Sequence, residues 1–281
     1  MSGRATAIAL TIAGSDSSGG AGIQADLKTF SALGVYGASA ITALTAQNTR
    51  GVAAVQPVSA VFVVAQIDAV LADLDVGAIK TGMLADRGIV SAVAARLAAA
   101  PRVPLIVDPV MIATSGHALL TPDAVAALRT ELFPRALMIT PNLAEAARLL
   151  DAPEARDEVA MVAQARALHE FGAHFVLIKG GHGGGAEAVD ILFDGTDVTR
   201  FARPRLPTRN SHGTGCTLSA AITALLAARD GPPASQSIAT IVARAKQYVW
   251  QALQAGSDLR VGSGIGPLDH LYDIRRHPRP V

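Results

Sequence analysis

Short runs of Val, Ile, Leu and Ala alternate along the chain with longer segments in which apolar residues recur at helical spacing. This pattern predicts repeated strand–helix units around a mostly parallel sheet that helices cover on both faces. Strands are expected near residues 7–13, 37–43, 76–79, 104–108, 137–140 and 174–179. Helices are expected near residues 20–33, 59–73, 86–99, 121–133, 142–150, 158–171, 215–229 and 233–255. The expected fold class is therefore α/β.

One segment departs from this alternation. Near residues 188–203, two apolar runs flank the turn pair Asp194-Gly195, which predicts an antiparallel hairpin at a sheet edge. No stretch is rich enough in Pro, Gly and Ser to serve as an interdomain linker, so one domain over residues 1–281 is expected. Residues 273–281 are expected to be disordered.

Composition narrows the range of partners. The 24 basic and 23 acidic residues give a net charge of +1, so neither nucleic acid nor a membrane surface is expected, and a small molecule fits better. The single cysteine cannot form an intramolecular disulfide, which agrees with a cytoplasmic protein. The apolar run at 7–13 faintly resembles a signal peptide, but it is short and Thr11 interrupts it, so a buried strand is expected. No apolar run approaches the ~20 residues that cross a bilayer.

Residues 210–219 read Asn-Ser-His-Gly-Thr-Gly-Cys-Thr-Leu-Ser and lead into an apolar helical pattern. Gly213 and Gly215, on either side of Thr214, leave the backbone N–H groups of the first helical turn uncovered, and the helix dipole adds positive charge, which suits a phosphate. Cys216 lies in the same turn, where a positive field favours its deprotonated form and a role as proton acceptor. The alternative is a glycine-rich helix start with a buried cysteine.

A second glycine-rich segment follows the first predicted strand. Residues 20–25 fit the loose dinucleotide-binding pattern G-x-G-x-x-A. A ribose-binding acid should follow ~20 residues later, but no Asp or Glu occurs between Asp26 and Asp68, so a dehydrogenase is not favoured. The segment still lies where open parallel sheets bind ligands. Asp26 either holds a polar substrate group or only complements the helix dipole.

Polar residues also follow other predicted strands. Gln47 can donate and accept hydrogen bonds, which suits an amino group beside a ring nitrogen, or it caps a turn. Asp108 can hold a magnesium-bound water, or it is a turn aspartate before Pro109. Lys179 can neutralise phosphate oxygens, or it is a solvated lysine at a strand end.

The segment at residues 141–145 is open to two interpretations as well. Asn142 followed three residues later by Glu145 is an ordinary helix-capping arrangement, yet its place after a strand aims Glu145 at the ligand edge. His182 is expected to be a loop residue without a role. The chain lacks the zinc patterns H-E-x-x-H and paired C-x-x-C and the phosphate-binding pattern G-x-x-x-x-G-K-[ST], so neither zinc nor a P-loop is supported.

Taken in order, these segments closely resemble those of the hydroxymethylpyrimidine/phosphomethylpyrimidine kinase family, the thiamine-biosynthetic branch of the ribokinase-like superfamily. The matching segments lie at residues 13–26, 34–49, 80–83, 108–111, 140–145, 179–182, 210–219 and 262–267. The resemblance extends from residue 7 to residue 272, and the ordered set carries it rather than any single motif.

This resemblance implies a three-layer αβα fold, the use of ATP with Mg²⁺, and two successive phosphorylations, of 4-amino-5-hydroxymethyl-2-methylpyrimidine and then of its monophosphate. A homodimer is also expected. Substrate contacts are implied for Gly14, Asp26, Gln47, Met83 and Val110. Asp108 and Glu145 are implied to hold magnesium through waters, and Asn142 and Lys179 to face the triphosphate. The implied anion hole consists of Gly213, Thr214 and Gly215, with Cys216 where many relatives carry an aspartate base.

The strength of Cys216 as a base can be compared with the field that acts on it. Lowering the pKa of a thiol from about 8.5 to 7 requires about 2 kcal/mol, and a helix terminus supplies at most ~2 kcal/mol. The backbone anion hole is therefore expected to matter more than the base.

Two other functions fit part of the pattern. Pyridoxal kinase shares the fold and the Gly-Thr-Gly motif, but an aminopyrimidine edge makes better use of both polar ends of Gln47. A nucleotide-binding sensor without activity is disfavoured, because the residues implied to hold magnesium, phosphate and the substrate proton are all present. These residues are Asp108, Glu145, Lys179 and Cys216. The chain departs from the family at residues 209–211 and in the run 262–266, which lacks a histidine, and neither departure is expected to touch the chemistry.

Overall fold

The computed structural model describes residues 6–99, 103–112, 119–181, 183–228 and 237–276. Its strands are β1 (Ile8–Asp16), β2 (Tyr36–Asn48), β3 (Gly51–Pro57), β4 (Ala78–Thr81), β5 (Leu105–Val107), β6 (Met138–Ile139), β7 (Phe175–Lys179), β8 (Glu187–Phe193) and β9 (Val198–Pro204). Its α-helices are α1 (Gly22–Ala32), α2 (Ala60–Asp73), α3 (Arg87–Ala98), α4 (Pro122–Ala127), α5 (Leu143–Leu150), α6 (Glu158–His169), α7 (Thr214–Ala227), α8 (Ile238–Gly256) and α9 (Tyr272–Arg276).

These strands join in one sheet, in the order β3-β2-β1-β4-β5-β6-β7-β8-β9. The pairs from β2 to β7 are parallel, whereas β3 at one edge and β8 and β9 at the other are antiparallel. At the turn between β8 and β9, the carboxylate of Asp194 accepts hydrogen bonds from the N–H groups of Thr196 and Asp197. The mostly parallel sheet and the edge hairpin predicted from the sequence are confirmed.

Strand β3 was not predicted. All of its residues are half-buried or exposed, and its apolar run, residues 52–55, is only four residues long and does not alternate with polar residues. It ends at Pro57, which an edge strand tolerates because one side of the strand has no partner. Pairing with β3 also explains why β2 continues to Asn48, beyond its predicted end.

Alternate residues of the central strands feed two separate cores. Leu105 and Val107 pack into the core under helices α2 to α6, whereas Ile106 between them packs against α7 and α8. Helix α1 joins the second face through Phe30, which packs against Ala220 of α7. The result is a helix–sheet–helix sandwich of three layers.

Helix α7 occupies the centre of one helical layer. Every residue from Thr217 to Leu226 is buried, as expected for a helix that is apolar nearly all round. It contacts β1, β4 and β5 as well as helices α1 and α8. This packing fixes the position of the first turn of α7, which carries the candidate chemistry.

Helix bounds differ from prediction at two places. The helix expected near 121–133 is α-helical only to Ala127, continues as a π turn to Leu132, and ends in a 3₁₀ turn that contains Pro134, which has no N–H to donate. The helix expected from residue 233 begins at Ile238, after Ser237, whose hydroxyl accepts a hydrogen bond from the Thr240 N–H. Residues 233–236 lie outside the described residues.

The expected disorder of residues 273–281 is wrong for residues 273–276, because these belong to α9. Arg275 forms an ion pair of 3.3 Å with Asp269, and the hydroxyl of Tyr272 donates to Gln251 over 2.9 Å. These contacts attach α9 to the body of the protein. Residues 277–281 lie outside the described part of the chain.

Candidate active site

A cleft of about 430 Å³ runs along the carboxyl ends of the parallel strands and past the first turn of α7. Every site residue predicted from the sequence except Asp26 lines it. These lining residues are Gly14, Gln47, Met83, Asp108, Val110, Asn142, Glu145, Lys179, Gly213, Thr214, Gly215 and Cys216. The structure therefore brings together segments that are far apart in sequence, because the carboxyl ends of parallel strands meet at one edge of the sheet.

The first turn of α7 has an open N-terminus. Gly213 adopts φ +85°, in the left-handed region, and a Cβ there would collide with the carbonyl oxygen of Gly20. Among the described residues, no side chain caps this helix. The N–H groups of its first turn are therefore available to an anion in the cleft.

Cys216 is in a less favourable environment than its place at a helix start predicts. Burial of the thiol is the largest influence and raises the pKa of Cys216 to about 11, and the carboxylates of Asp26 and Asp108 act in the same direction. The ammonium group of Lys80 opposes them without outweighing burial. Burial therefore outweighs the favourable helix field in the free protein, which agrees with the expectation that this field is barely sufficient.

Lys179 joins two carboxylates at the centre of the cleft. Its Nζ lies 2.6 Å from Oδ1 of Asp108 and 3.9 Å from Oε2 of Glu145. Asp108 also accepts hydrogen bonds from Ser219 of α7 and from Thr140. Burial alone would raise the pKa of Asp108, but Lys179 and Lys80 outweigh it and lower that pKa below its usual value.

Both interpretations of Asn142 and Glu145 hold at once. The Asn142 carboxamide accepts a hydrogen bond from the N–H of Glu145, and the Glu145 carboxylate accepts one from the N–H of Asn142, which completes a capping box at the start of α5. The same carboxylate lines the cleft. Burial raises the pKa of Glu145 to about 7, and the neighbouring charge of Asp108 contributes to this rise.

Asp26 does not line the cleft, and its carboxylate is already occupied. Nζ of Lys80 donates to both of its oxygens, at 2.8 and 2.9 Å, and the hydroxyl of Thr11 donates to one of them at 2.7 Å. All three side chains are buried. The residue that reaches the cleft from this cluster is Lys80. It lies in one of the family-like segments, but the sequence predicts no role for it.

A further cluster that sequence reasoning missed joins the first strand to the α7 segment. Nε2 of His212 lies 2.8 Å from Oδ2 of Asp16 and 3.3 Å from the carboxamide of Gln47. Burial would raise the pKa of Asp16, but hydrogen bonds from His212 and Ser18 outweigh it and lower that pKa to about 2. The signal was present in the two glycine-rich segments, but nothing in the sequence links Asp16 with a residue 196 positions away.

Apolar groups form the wall of the cleft beside Gln47. Gly14 lies against the Met83 side chain so closely that a Cβ at Gly14 would collide with the terminal methyl of Met83. The carbonyl of Met83 accepts a hydrogen bond of 2.6 Å from the hydroxyl of Thr42. Val110 lies on the same cleft. This half of the cleft therefore suits a flat, partly apolar ring with a polar edge.

The opposite half of the cleft carries more charge. Nζ of Lys246 lies 2.5 Å from Oδ2 of Asp190, whose other oxygen accepts from the N–H of Gly180 at 3.0 Å. Arg205 lines this half and donates to main-chain carbonyls, among them that of Gly185 at 3.0 Å. Ser211 also lines the cleft, so the departure from the family pattern at 209–211 does reach the site. His182 lies outside the described residues.

The sheet order and this cleft define a kinase of the ribokinase-like class. The structure of pyridoxal kinase from Staphylococcus aureus in complex with AMP-PCP and pyridoxal matches with a TM-score of 0.86 at 32% identity, over 97% of this chain and 96% of that one. Phosphomethylpyrimidine kinase from Clostridium difficile 630 matches with a TM-score of 0.74 at 43% identity, over 87% of this chain and 98% of that one.

The family model for phosphomethylpyrimidine kinase matches residues 16–269, and the chain belongs to this family. Hydroxymethylpyrimidine/phosphomethylpyrimidine kinase from Rhizobium meliloti (strain 1021) is 57% identical over 267 residues, which cover 95% of this chain and 98% of that relative. The resemblance predicted from the sequence is confirmed. None of the described helices combines the length and apolar character needed to cross a bilayer.

The environment of Glu145 predicts a pH-dependent cost in stability. Because its folded-state pKa of about 7 lies above the ordinary value of 4.5, the folded protein loses stability as pH rises between these values, and the loss is complete above pH ~7. Glu145→Gln keeps an acceptor for the cap and removes the buried charge. We expect a gain in Tm of at least ~2 °C at pH 8 and a smaller gain at pH 5, measured by calorimetry without nucleotide.

The matched control is Glu154→Gln, at an exposed position. Equal Tm differences for Glu145→Gln at the two pH values would contradict the prediction.

Proposed function

We propose that this chain transfers the γ-phosphoryl group of ATP to the hydroxymethyl oxygen of 4-amino-5-hydroxymethyl-2-methylpyrimidine, and then phosphorylates the resulting monophosphate to the diphosphate used in thiamine biosynthesis. Family membership and the names of the relatives support this activity. The observation that carries it is the continuity of one cleft, which leads from Gln47 past the open turn of Gly213 to Lys179. Acceptor and donor can therefore meet at an anion-binding helix start.

The pyrimidine is proposed to lie in the half of the cleft that Gly14, Met83 and Val110 line. Gln47 offers a donor and an acceptor to the amino group and the adjacent ring nitrogen. Asp26 acts on the substrate only through Lys80, since its oxygens are occupied by Lys80 and Thr11.

The triphosphate is proposed to lie against the first turn of α7, with its charge balanced by Lys179 and with Asn142 beside it. The backbone N–H groups of Gly213 to Gly215 stabilise the charge on the phosphoryl oxygens during transfer. Because phosphoryl transfer depends mainly on positioning and charge stabilisation, these groups carry most of the catalysis.

Asp108 and Glu145 fit a magnesium ion, because two carboxylates that converge on one lysine suit a cation that retains waters and binds through one or two carboxylates plus phosphates. Bound magnesium would supply charge neutralisation on the phosphate oxygens. Within the described residues there is no cluster of three or more His, Cys, Asp or Glu that could hold a metal by itself. Substrate phosphates would therefore complete the ligand set.

Cys216 is proposed to accept the hydroxymethyl proton late in the transfer. Its thiol is protonated at neutral pH in the free protein, since its pKa is about 11. A protonated thiol cannot accept a second proton, so Cys216 acts as the base only after its own proton has passed to water. The resulting thiolate then takes the proton of the substrate oxygen as the new P–O bond forms and that oxygen becomes acidic.

Two alternatives are tested by the same assay. The first alternative is pyridoxal kinase, which is supported by a structural neighbour at 32% identity, against 57% for the pyrimidine kinase relative. The second alternative is a catalytically inactive nucleotide sensor. We expect ATP/Mg²⁺ turnover of hydroxymethylpyrimidine and of its monophosphate, with pyridoxal slower than either, when product formation is followed for the three substrates in parallel. Turnover of pyridoxal alone would overturn the proposal, and nucleotide binding without turnover of any substrate would favour the sensor.

Replacement of Cys216 separates the base from the anion hole. Cys216→Ala is expected to lower kcat by roughly 10- to 100-fold, at or below the low end for general-base catalysis, and to leave KM for the pyrimidine near normal. Gly213→Ala is expected to lower kcat further, because its Cβ would displace the turn from the carbonyl of Gly20. Steady-state kinetics on proteins matched by circular dichroism test both, and an unchanged kcat in Cys216→Ala would exclude the base.

A cytoplasmic homodimer is proposed as the working form, since the compartment must supply ATP. Val61 and Phe62, adjacent at the start of α2, are 82% and 61% exposed and offer an apolar contact surface. We expect Val61→Asp/Phe62→Asp to sediment as a monomer and Val159→Asp, at an apolar position on α6 that is 80% exposed, to remain dimeric. A dimer that survives the double substitution would exclude this surface.

A further inference from the structure

The carboxamide of Gln47 is held from several directions. Nε2 of the carboxamide lies 3.3 Å from Nε2 of His212 and Oε1 lies 3.1 Å from the hydroxyl of Thr45, but the two ends of an amide are assigned from the hydrogen bonds around them. The main chain of Gln47 is fixed as well, because Oγ of Ser17 accepts from its N–H at 2.9 Å and donates to its carbonyl at 2.8 Å. Gln47 therefore presents a fixed side chain to the cleft. The hydrogen bonds of its neighbours decide which end of the carboxamide is the oxygen.

The His212 end settles it first. The carboxylate of Asp16 accepts hydrogen bonds from the N–H groups of Ser18, Gly20 and Ala21 and lies 2.8 Å from Nε2 of His212. An ionised carboxylate can only accept, so Nε2 of His212 carries a proton and donates it. An N–H of Gln47 at 3.3 Å from this nitrogen would set two donors face to face, so the Gln47 atom there is the carbonyl oxygen, which shares the His212 proton with Asp16.

The Thr45 end leads to the same answer independently. The hydroxyl of Thr45 lies 2.8 Å from the carbonyl oxygen of Ser15, which can only accept, so Thr45 donates its one proton there. The Gln47 atom at 3.1 Å must therefore be a donor, which is the amide nitrogen. The opposite orientation would set two donors face to face at His212 and leave Thr45 with one proton for two acceptors.

His212 is itself fixed from outside the cluster. Its backbone N–H donates to the carbonyl of Gly266 over 2.9 Å. Its ring packs so closely on Gly20 that a Cβ at Gly20 would collide with the ring. The imidazole is buried. A rigid donor in this position can define the orientation of its neighbour.

We propose that Asp16 and His212 are positioning residues that, together with Thr45, hold the Gln47 carboxamide in one orientation and so fix the order of donor and acceptor that the pocket offers. This inference rests on the proposed function. The amide keeps one free N–H for the ring nitrogen and one free lone pair for the exocyclic amino group. A pyridine ring that carries a methyl group in place of this amino group leaves the lone pair of Gln47 without a donor. The orientation therefore selects aminopyrimidines.

The test is a double-mutant cycle on binding, without ATP. Calorimetry gives Kd for hydroxymethylpyrimidine with the wild type, His212→Leu, Gln47→Leu and the double variant. We expect each single substitution to weaken binding by roughly tenfold, the scale of one hydrogen bond in a buried site. The double variant should bind no more weakly than Gln47→Leu alone, because His212 acts only through Gln47.

A structural role of His212 would give a different result. Additive losses in the double variant would overturn the inference. The inference would also be overturned if His212→Leu weakened the binding of a ring analogue, in which hydrogen replaces the amino group, as much as it weakens the binding of hydroxymethylpyrimidine, since that analogue does not use the lone pair. Thr45→Val, a substitution that preserves shape, replaces His212→Leu in the cycle if that variant does not fold, and the same full coupling with Gln47→Leu is expected. A wild type that fails to bind hydroxymethylpyrimidine would instead overturn the proposed function itself.

Discussion

Three buried aspartate–lysine pairs set the electrostatic balance of this protein. Asp26 with Lys80, Asp108 with Lys179, and Asp190 with Lys246 are joined at 2.8, 2.6 and 2.5 Å, and each lysine reaches the cleft. Removal of one partner from such a pair leaves an uncompensated buried charge, at a typical cost of about 3–5 kcal/mol. Each pair is neutral, so the lysines are held in place but an anionic substrate adds its own negative charge to the cleft, which the open helix start of α7 would partly offset.

The folded core explains why so much chemistry can gather at one helix start. Helix α7 is buried from Thr217 to Leu226, so its position is set by packing on three strands and two helices rather than by the site. The left-handed backbone at Gly213 then belongs to a rigid element, and the N–H groups of the proposed anion hole are preorganised. A buried environment has the opposite effect on Cys216, whose proton it retains. The same burial therefore strengthens the proposed anion hole and weakens the proposed base.

Sequence periodicity predicted the parallel sheet, the edge hairpin and most of the helices, because these depend on local apolar patterns. It missed β3, whose apolar run is only four residues long and not fully buried, and it placed disorder where α9 is held by Asp269. Most site residues were predictable from their place at strand ends and their family motifs. Lys80 and His212 received no role, because their partners lie 54 and 196 positions away and only the folded chain joins them. The rise in the pKa of Cys216 could not be predicted, because the extent of its burial cannot be read from a helix start.

The hydrogen bond between His212 and Gly266 has a consequence for biosynthesis of the protein. One wall of the pocket around Gln47 comes from the first strand, whereas His212 is held by the carbonyl of Gly266. These parts are therefore synthesised near the beginning and near the end of translation. Local helices and hairpins can form while the chain is being made, but contacts of such long sequence separation close last. A nascent chain that has not reached Gly266 can contain every strand of the sheet and still lack the support for the Gln47 amide that we propose recognises the pyrimidine.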